Sequence, residues 1–236
     1  MNWNAAPKDR KKTIIKFHSK KMPVSLNQIL EMPNAALLAE KINSALENEK
    51  AERNHFYEII EESQKIEFIN GENIFQSPAK LRHTITIKLL LKLLDTFVYK
   101  QSLGLVGSQK MLISLTRNDY EPDICFFEKG KADFFKPDQM QFPTPDFVVE
   151  VLSPSTEKYD RTTKFDDYAA HGIKEYWIID AKHETIEQYF LENEQYELLL
   201  KAKDGTINSV VLPDFKIQIR AAFDEQTNLE ELKRLI

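Results

Sequence analysis

Residues 145–180 constrain the fold more than any other stretch of the chain: PDFVVEVLSPSTEKYDRTTKFDDYAAHGIKEYWIID. Asp146 to Leu152 is a short, Val-rich apolar run, the pattern of a buried strand. Ser153-Pro154-Ser155-Thr156 breaks it. Asp160 is placed to cap a helix, and Gly172 to end that helix at its C′ position. Lys174 to Asp180 supplies a second strand. Two strands joined through one helix make a βαβ crossover, so they are expected to be parallel, with a right-handed connection. Glu150 does not fit this buried setting. A lone carboxylate inside an apolar strand is costly or is forced neutral, so it needs a partner, a proton or a metal.

Two partners follow from position. Lys164 lies in the first turn of the crossover helix, near the C-terminal end of the strand that carries Glu150. Upstream, Glu121-Pro122-Asp123 opens another apolar run, Ile124 to Phe127, a neighbouring strand. Asp123 and Glu150 could face each other across a metal ion, and an oxygen-rich site of this kind suits Mg²⁺ or Mn²⁺. Pro145-Asp146 is a competing Pro-Asp pair. Asp146 and Glu150 share a sheet face but lie about 13 Å apart along one strand. That is too far to share an ion, so Asp123 is the candidate ligand and Asp146 a strand-start residue. Tyr168, one turn from Lys164, orients the lysine or packs. Asp166 and Asp167 read as surface charge, and Tyr176-Trp177 as packing between the crossover helix and the sheet. By residue type alone, Lys164 reads as an exposed helical lysine.

An acid opening one strand, an acid within the next and a nearby lysine resemble the active site of PD-(D/E)XK nucleases. VVEVLSPST…DRTTKFDDY…GIKEYWIID resembles the signature of one branch, the restriction-endonuclease-like Uma-two family. IEFINGENIFQSP, followed by a helix carrying His83, is similar to that family's opening segment. The resemblance spans residues 65–224. Leu152 stands where the superfamily's spacing calls for a lysine; the branch places its lysine on the following helix, where Lys164 stands. The resemblance implies an α/β fold, a restriction-endonuclease-like mixed sheet flanked by helices. It implies an endonuclease that hydrolyses phosphodiester bonds in DNA, with Asp123 and Glu150 binding Mg²⁺ or Mn²⁺ and Lys164 as the catalytic cation. His83 and Glu67 become supporting candidates, although a core or capping histidine and an exposed hairpin carboxylate are their ordinary readings. Nucleic acid is the implied partner, and cutting two strands suggests a homodimer. Two alternatives stand beside this: an inactive nuclease fold serving as a binding module, with Glu150 and Lys164 as a metal-free ion pair, and a metal-dependent phosphoesterase for a small substrate.

The chain has 236 residues and 42% hydrophobic content, enough for one sizeable core with an appendage. Its formal net charge of −5 argues against a globally basic nucleic-acid binder but leaves room for a local basic groove. Residues 1–24 hold seven Lys/Arg against Asp9 alone. They read as a solvated tail or as an arm that tracks a phosphate backbone. That segment lacks the apolar run of a signal peptide, and Leu89 to Leu94 is too short to span a bilayer, so the expectation is a cytoplasmic protein without membrane contact. Cys125, the only cysteine, reads as a buried thiol.

The expected organisation is a basic arm over 1–24, a helical extension over 25–63 and a nuclease-like domain over 64–236. Ser25 caps a short helix and Asn34 a longer one, with a third running through Phe56, Ile59 and Ile60. Lys65 to Gln76 reads as a hairpin around Asn70-Gly71. A helix over 79–102 carries His83, and Leu105 to Leu115 reads as the first core strand. Residues 129–144 read as a loop suited to substrate contacts. Thr185 to Leu191, Tyr196 to Ala202 and Asn208 to Leu212 are expected to extend the sheet, and Leu229 to Ile236 to close the chain as a helix.

Overall fold

Phe147, Val149 and Val151 face one way along their strand and Val148 the other, and this alternation sets up two apolar layers. A computed structural model describes residues 25–61 and 64–236. The basic arm expected over 1–24 lies outside them. Two compact units divide the chain, one through Glu47 and one from Asn48.

In the first unit, α1 (Leu26–Leu30) starts at a capping box. Gln28 N donates to Ser25 Oγ, and Ser25 N donates back to Gln28 Oε1. α2 (Ala35–Ile59) begins there and continues as one helix, where the sequence suggested two. Residues 47–53, ENEKAER, are strong helix formers with one exception, so nothing interrupts it.

In the second unit, β1 (Ile66–Ile69) and β2 (Glu72–Phe75) form the expected hairpin. Asn70 and Gly71 take positive φ (52° and 85°), as a two-residue turn between twisted strands demands. α3 (Leu81–Gln101) follows. Then come β3 (Gly104–Ser108), β4 (Leu112–Ser114), β5 (Asp119–Tyr120), β6 (Ile124–Glu128), α4 (Lys129–Ala132), β7 (Gln141–Phe142) and β8 (Phe147–Val151). α5 (Glu157–Arg161), α6 (Thr163–Ala170) and β9 (Glu175–Asp180) complete the crossover. β10 (Thr185–Glu192), β11 (Gln195–Ala202), β12 (Thr206–Asn208), β13 (Lys216–Gln218) and α7 (Glu225–Leu235) end the chain.

The main sheet has the order β11-β10-β9-β8-β6-β3. β8 and β9 are parallel, as a crossover requires; the other pairs are antiparallel. A second sheet has the order β2-β1-β5-β4-β7. Helices flank these mixed sheets. On one side of the main sheet, Leu90, Leu94 and Phe97 of α3 pack on Phe126, Val149 and Trp177. On the other, Tyr168 of α6 packs with Cys125, Val148, Tyr176 and Ile178.

Several expectations are corrected. Leu105 to Leu115 is two strands in different sheets, because positive φ at Gln109 (43°) turns the chain. The 129–144 loop contains α4 and β7. Asn208 to Leu212 does not join the main sheet; β12 pairs with β13 instead. Residues 209–211 are held by the buried Glu175 carboxylate, whose Oε2 accepts from Ser209 Oγ, Val210 N and Val211 N, while Oε1 accepts from Trp177 Nε1 and Gln188 Nε2. Trp177 packs on the α3 side, so only Tyr176 meets the crossover helix; adjacent strand residues point to opposite faces. Cys125 is buried, and burial pushes its thiol up to about 12, which leaves it unreactive.

Glu187 on β10 accepts a two-pronged contact from Arg161 (2.9 and 3.0 Å) and a hydrogen bond from Tyr189 (2.7 Å). Burial alone would raise its carboxyl, but these donors outweigh burial and bring it to about 2 from an ordinary 4.5. A lowered carboxylate contributes stability above its unfolded value and loses that contribution as pH falls through the folded one. Arg161→Gln is therefore expected to destabilise the fold at pH 7, with the gap from wild type closing as pH falls from 4.5 toward 2. Urea unfolding across that range tests this; a gap independent of pH contradicts it.

Candidate active site

The β6–β8 register pairs Ile124 with Val149 and Cys125 with Val148. Continued by one residue, it sets Asp123 opposite Glu150. Directly opposed antiparallel residues share a face with Cβ atoms about 5 Å apart. Asp123 and Glu150 are both almost completely buried. Val151 N donates to Asp123 Oδ2 at 2.9 Å, which fixes that carboxylate to the strand bearing Glu150.

The crossover helix is broken. α5 ends at Arg161, Thr162 departs from helical geometry (φ −130°, ψ −85°), and α6 restarts at Thr163. Asp160 is therefore inside α5 and not an N-cap; it is buried, one turn before Lys164. Gly172 (φ 76°) ends α6 as expected, with Ile173 N bonded to Tyr168 O and Gly172 N to Ala169 O.

Lys164 is 1% exposed. Its Nζ lies 2.8 Å from Glu67 Oε1, 2.9 Å from Glu150 Oε1 and 3.2 Å from Asp160 Oδ1, and 5.6 Å from the centre of the Tyr120 ring. Tyr168 donates to the same Glu150 oxygen at 3.0 Å. Glu67, from β1, also accepts from Glu121 N at 2.9 Å. It is not the exposed hairpin carboxylate expected, because β1 is buried along its whole length.

Asp123 has a second set of partners. Its Oδ1 lies 2.9 Å from Lys65 Nζ and 3.5 Å from His83 Nε2. Burial would raise the Asp123 carboxyl, but His83 and Lys65 outweigh it and hold the group below the ordinary carboxylate range. Burial pushes Glu150 the other way, above its ordinary value, against the pull of Lys164 and with help from Asp160, Asp123 and Glu67. For Lys164, burial is outweighed by Glu150, Glu67 and Asp160, so the ammonium keeps its proton. Burial likewise keeps the Tyr168 hydroxyl neutral and a donor.

The structure thus brings together every residue singled out in the sequence: Asp123, Glu150, Lys164, Tyr168, His83 and Glu67. Sequence reasoning missed Lys65, Asp160 and Tyr120. The i, i+4 spacing of Asp160 and Lys164 was the available signal for one of them. Asp167 is not simply surface charge, since it accepts from Tyr120 OH and Asn118 Nδ2 at 2.7 Å each.

Four buried carboxylates, Asp123, Glu150, Glu67 and Asp160, surround two lysines. Among the described residues, no group of three His, Cys, Asp or Glu converges to enclose an ion. The opposed pair nonetheless fits a hard divalent cation. Mg²⁺ is commonly held by one or two carboxylates, with waters and substrate phosphate completing its shell. The ammonium groups on Asp123 Oδ1 and Glu150 Oε1 show that both oxygens already attract positive charge.

Lys65 and His83 also line a cavity of about 920 Å³, together with Lys110, Ser153, Ser155 and Lys182. The expectation that the 129–144 loop borders the site is not met; the walls come from the hairpin exit, the start of α3 and residues 152–157 and 180–183. Those segments sit at the end of the sheet where Asp123 and Val151 lie, whereas α4 follows the far end of β6.

The sequence pattern of the Uma2 family, described as "Putative restriction endonuclease", matches residues 53–220. The uncharacterized protein sll1609 of Synechocystis sp. is 27% identical over 129 residues, covering 54% of this chain and 72% of that protein. The crystal structure of a putative nuclease belonging to DUF820 from Anabaena variabilis superposes with a TM-score of 0.63 at 18% identity. It covers 76% of this chain and 97% of that one, a likeness of fold.

Proposed function

The chain belongs to the Uma2 restriction-endonuclease family, and from that premise we propose that it is a divalent-cation-dependent endonuclease that hydrolyses phosphodiester bonds in DNA. The observation that carries this reading is the opposed Asp123–Glu150 pair beside a cation-lined cleft. Asp123 and Glu150 would hold Mg²⁺ or Mn²⁺. Such an ion, when bound, polarises a phosphoryl oxygen and lowers the pKa of a coordinated water. Val151 N, Lys65 and His83 keep Asp123 ionised and oriented. Lys164 and Tyr168 fix Glu150 through one shared oxygen. Lys164 also offsets the negative charge that Glu67, Glu150 and Asp160 gather beside the metal position.

One observation favours a second reading, the inactive binding module. Lys164 is sealed among three carboxylates, as in a structural ion cluster. Cleavage separates the two. Supercoiled plasmid, linear duplex, single-stranded DNA and RNA are incubated with the wild-type protein in Mg²⁺, Mn²⁺ or EDTA. The nuclease reading expects cutting of at least one DNA substrate with metal and none in EDTA. Equal cutting in EDTA contradicts metal dependence. No helix among the described residues is long and apolar enough to cross a membrane.

A further inference from the structure

Lys164 is shut away from a substrate. Three carboxylate oxygens stand within 3.2 Å of its ammonium, in a side chain that is 1% exposed. Lys65 differs in both respects. Among the described residues its Nζ meets one carboxylate, Asp123, and its side chain is 21% exposed. It lines the 920 Å³ cavity, and so does His83, whose ring also meets Asp123; Asp123, Glu150 and Lys164 do not.

The cavity itself is cationic. Lys65, Lys80, Arg82, Lys110 and Lys182 line it against Glu157 and Asp180, in a chain whose formal net charge is −5. Positive charge gathered in one cleft of an acidic protein attracts a polyanion locally while the rest of the surface repels it.

We propose that Lys65 is the cation that contacts the substrate phosphate: its ammonium bridges Asp123 and a non-bridging oxygen of the phosphodiester seated in this cleft, with Lys110 and Lys182 holding neighbouring phosphates. Lys164 is then a positioning residue, acting through Glu150. The inference rests on the nuclease reading for its catalytic half but not for its binding half.

The test uses the full chain with Lys65→Ala, Lys65→Arg and Lys182→Ala, and two readouts. Binding of fluorescein-labelled duplex DNA, single-stranded DNA and RNA oligonucleotides is followed by anisotropy in EDTA across a salt series, which needs no turnover. Cleavage is followed in Mg²⁺ under single-turnover conditions. Lys65→Ala is expected to weaken binding about 10-fold or more and to lower the slope of log K against log salt by about one contact. Lys65→Arg should restore most of it. Lys182→Ala should weaken binding and lower the salt slope by about one contact, whereas Lys65→Ala in addition lowers the single-turnover rate at saturating protein about 10-fold or more. A Lys65 that merely braced Asp123 would shift the melting temperature and leave the salt slope alone. Affinity, slope and rate within 2-fold of wild type in Lys65→Ala would overturn the proposal, as would a wild type that binds none of the oligonucleotides. Lys65-dependent binding by a protein that cuts nothing would support the phosphate contact and remove the nuclease reading instead.

Discussion

Lys164→Met is expected to cost the fold about 3–5 kcal/mol of unfolding free energy, because it strips the shared counter-ion from a buried acidic cluster. Glu67, Glu150 and Asp160 are each at most 3% exposed, and each places an oxygen within 3.2 Å of the lost ammonium. Met matches the aliphatic stem, so the loss reports charge more than volume. The three carboxylates must then stay unpaired or take up protons on folding, and each route lowers stability at neutral pH. Urea unfolding at pH 7 measures the loss. Adding Glu67→Gln and Asp160→Asn to the Lys164→Met chain should recover a good part of it, because the acids are what make the missing cation expensive. A loss under about 1 kcal/mol would mean that the cluster does not depend on Lys164.

Glu150→Gln should do the reverse, sparing the fold and removing activity. Burial already disfavours the ionised form of Glu150, so a neutral amide of the same shape gives up little stability. Its carbonyl oxygen can still accept from Tyr168 and Lys164, the partners of Oε1. The lost property is the negative charge facing Asp123. If that pair binds the metal, cleavage should fall by about 100-fold or more, since a bound ion supplies several kcal/mol of transition-state stabilisation. A melting temperature close to wild type would show that the defect is chemical. Retention of more than about a tenth of the activity would place the metal elsewhere.

The parts of this site that were legible in the sequence were those tied to local pattern. A carboxylate interrupting a Val-rich strand marked Glu150. The strand-opening position of Asp123 and the period of two put it on a neighbouring strand, able to face Glu150. The lysine at the start of the crossover helix completed the set. What stayed hidden depended on the second sheet. Nothing in Lys65 to Gln76 reveals that the hairpin joins β5 and so lies over the acids; without that pairing, Glu67 looks exposed and Lys65 looks like any surface lysine. Asp160 was misread because Ser, Thr and Asp before an apolar run usually cap one helix, and here Thr162 breaks the crossover into two. The sharp turn at Gln109 likewise gave no signal, since positive φ is rarely carried by glutamine.

The most direct test of the central claim is a side-by-side cleavage assay of wild type and Glu150→Gln, on plasmid, linear duplex, single-stranded DNA and RNA, each with Mg²⁺, Mn²⁺ and EDTA. The account predicts metal-requiring DNA cleavage by the wild type and its loss in the folded variant. Cleavage that persists in folded Glu150→Gln, or that proceeds equally in EDTA, would contradict an Asp123–Glu150 metal centre.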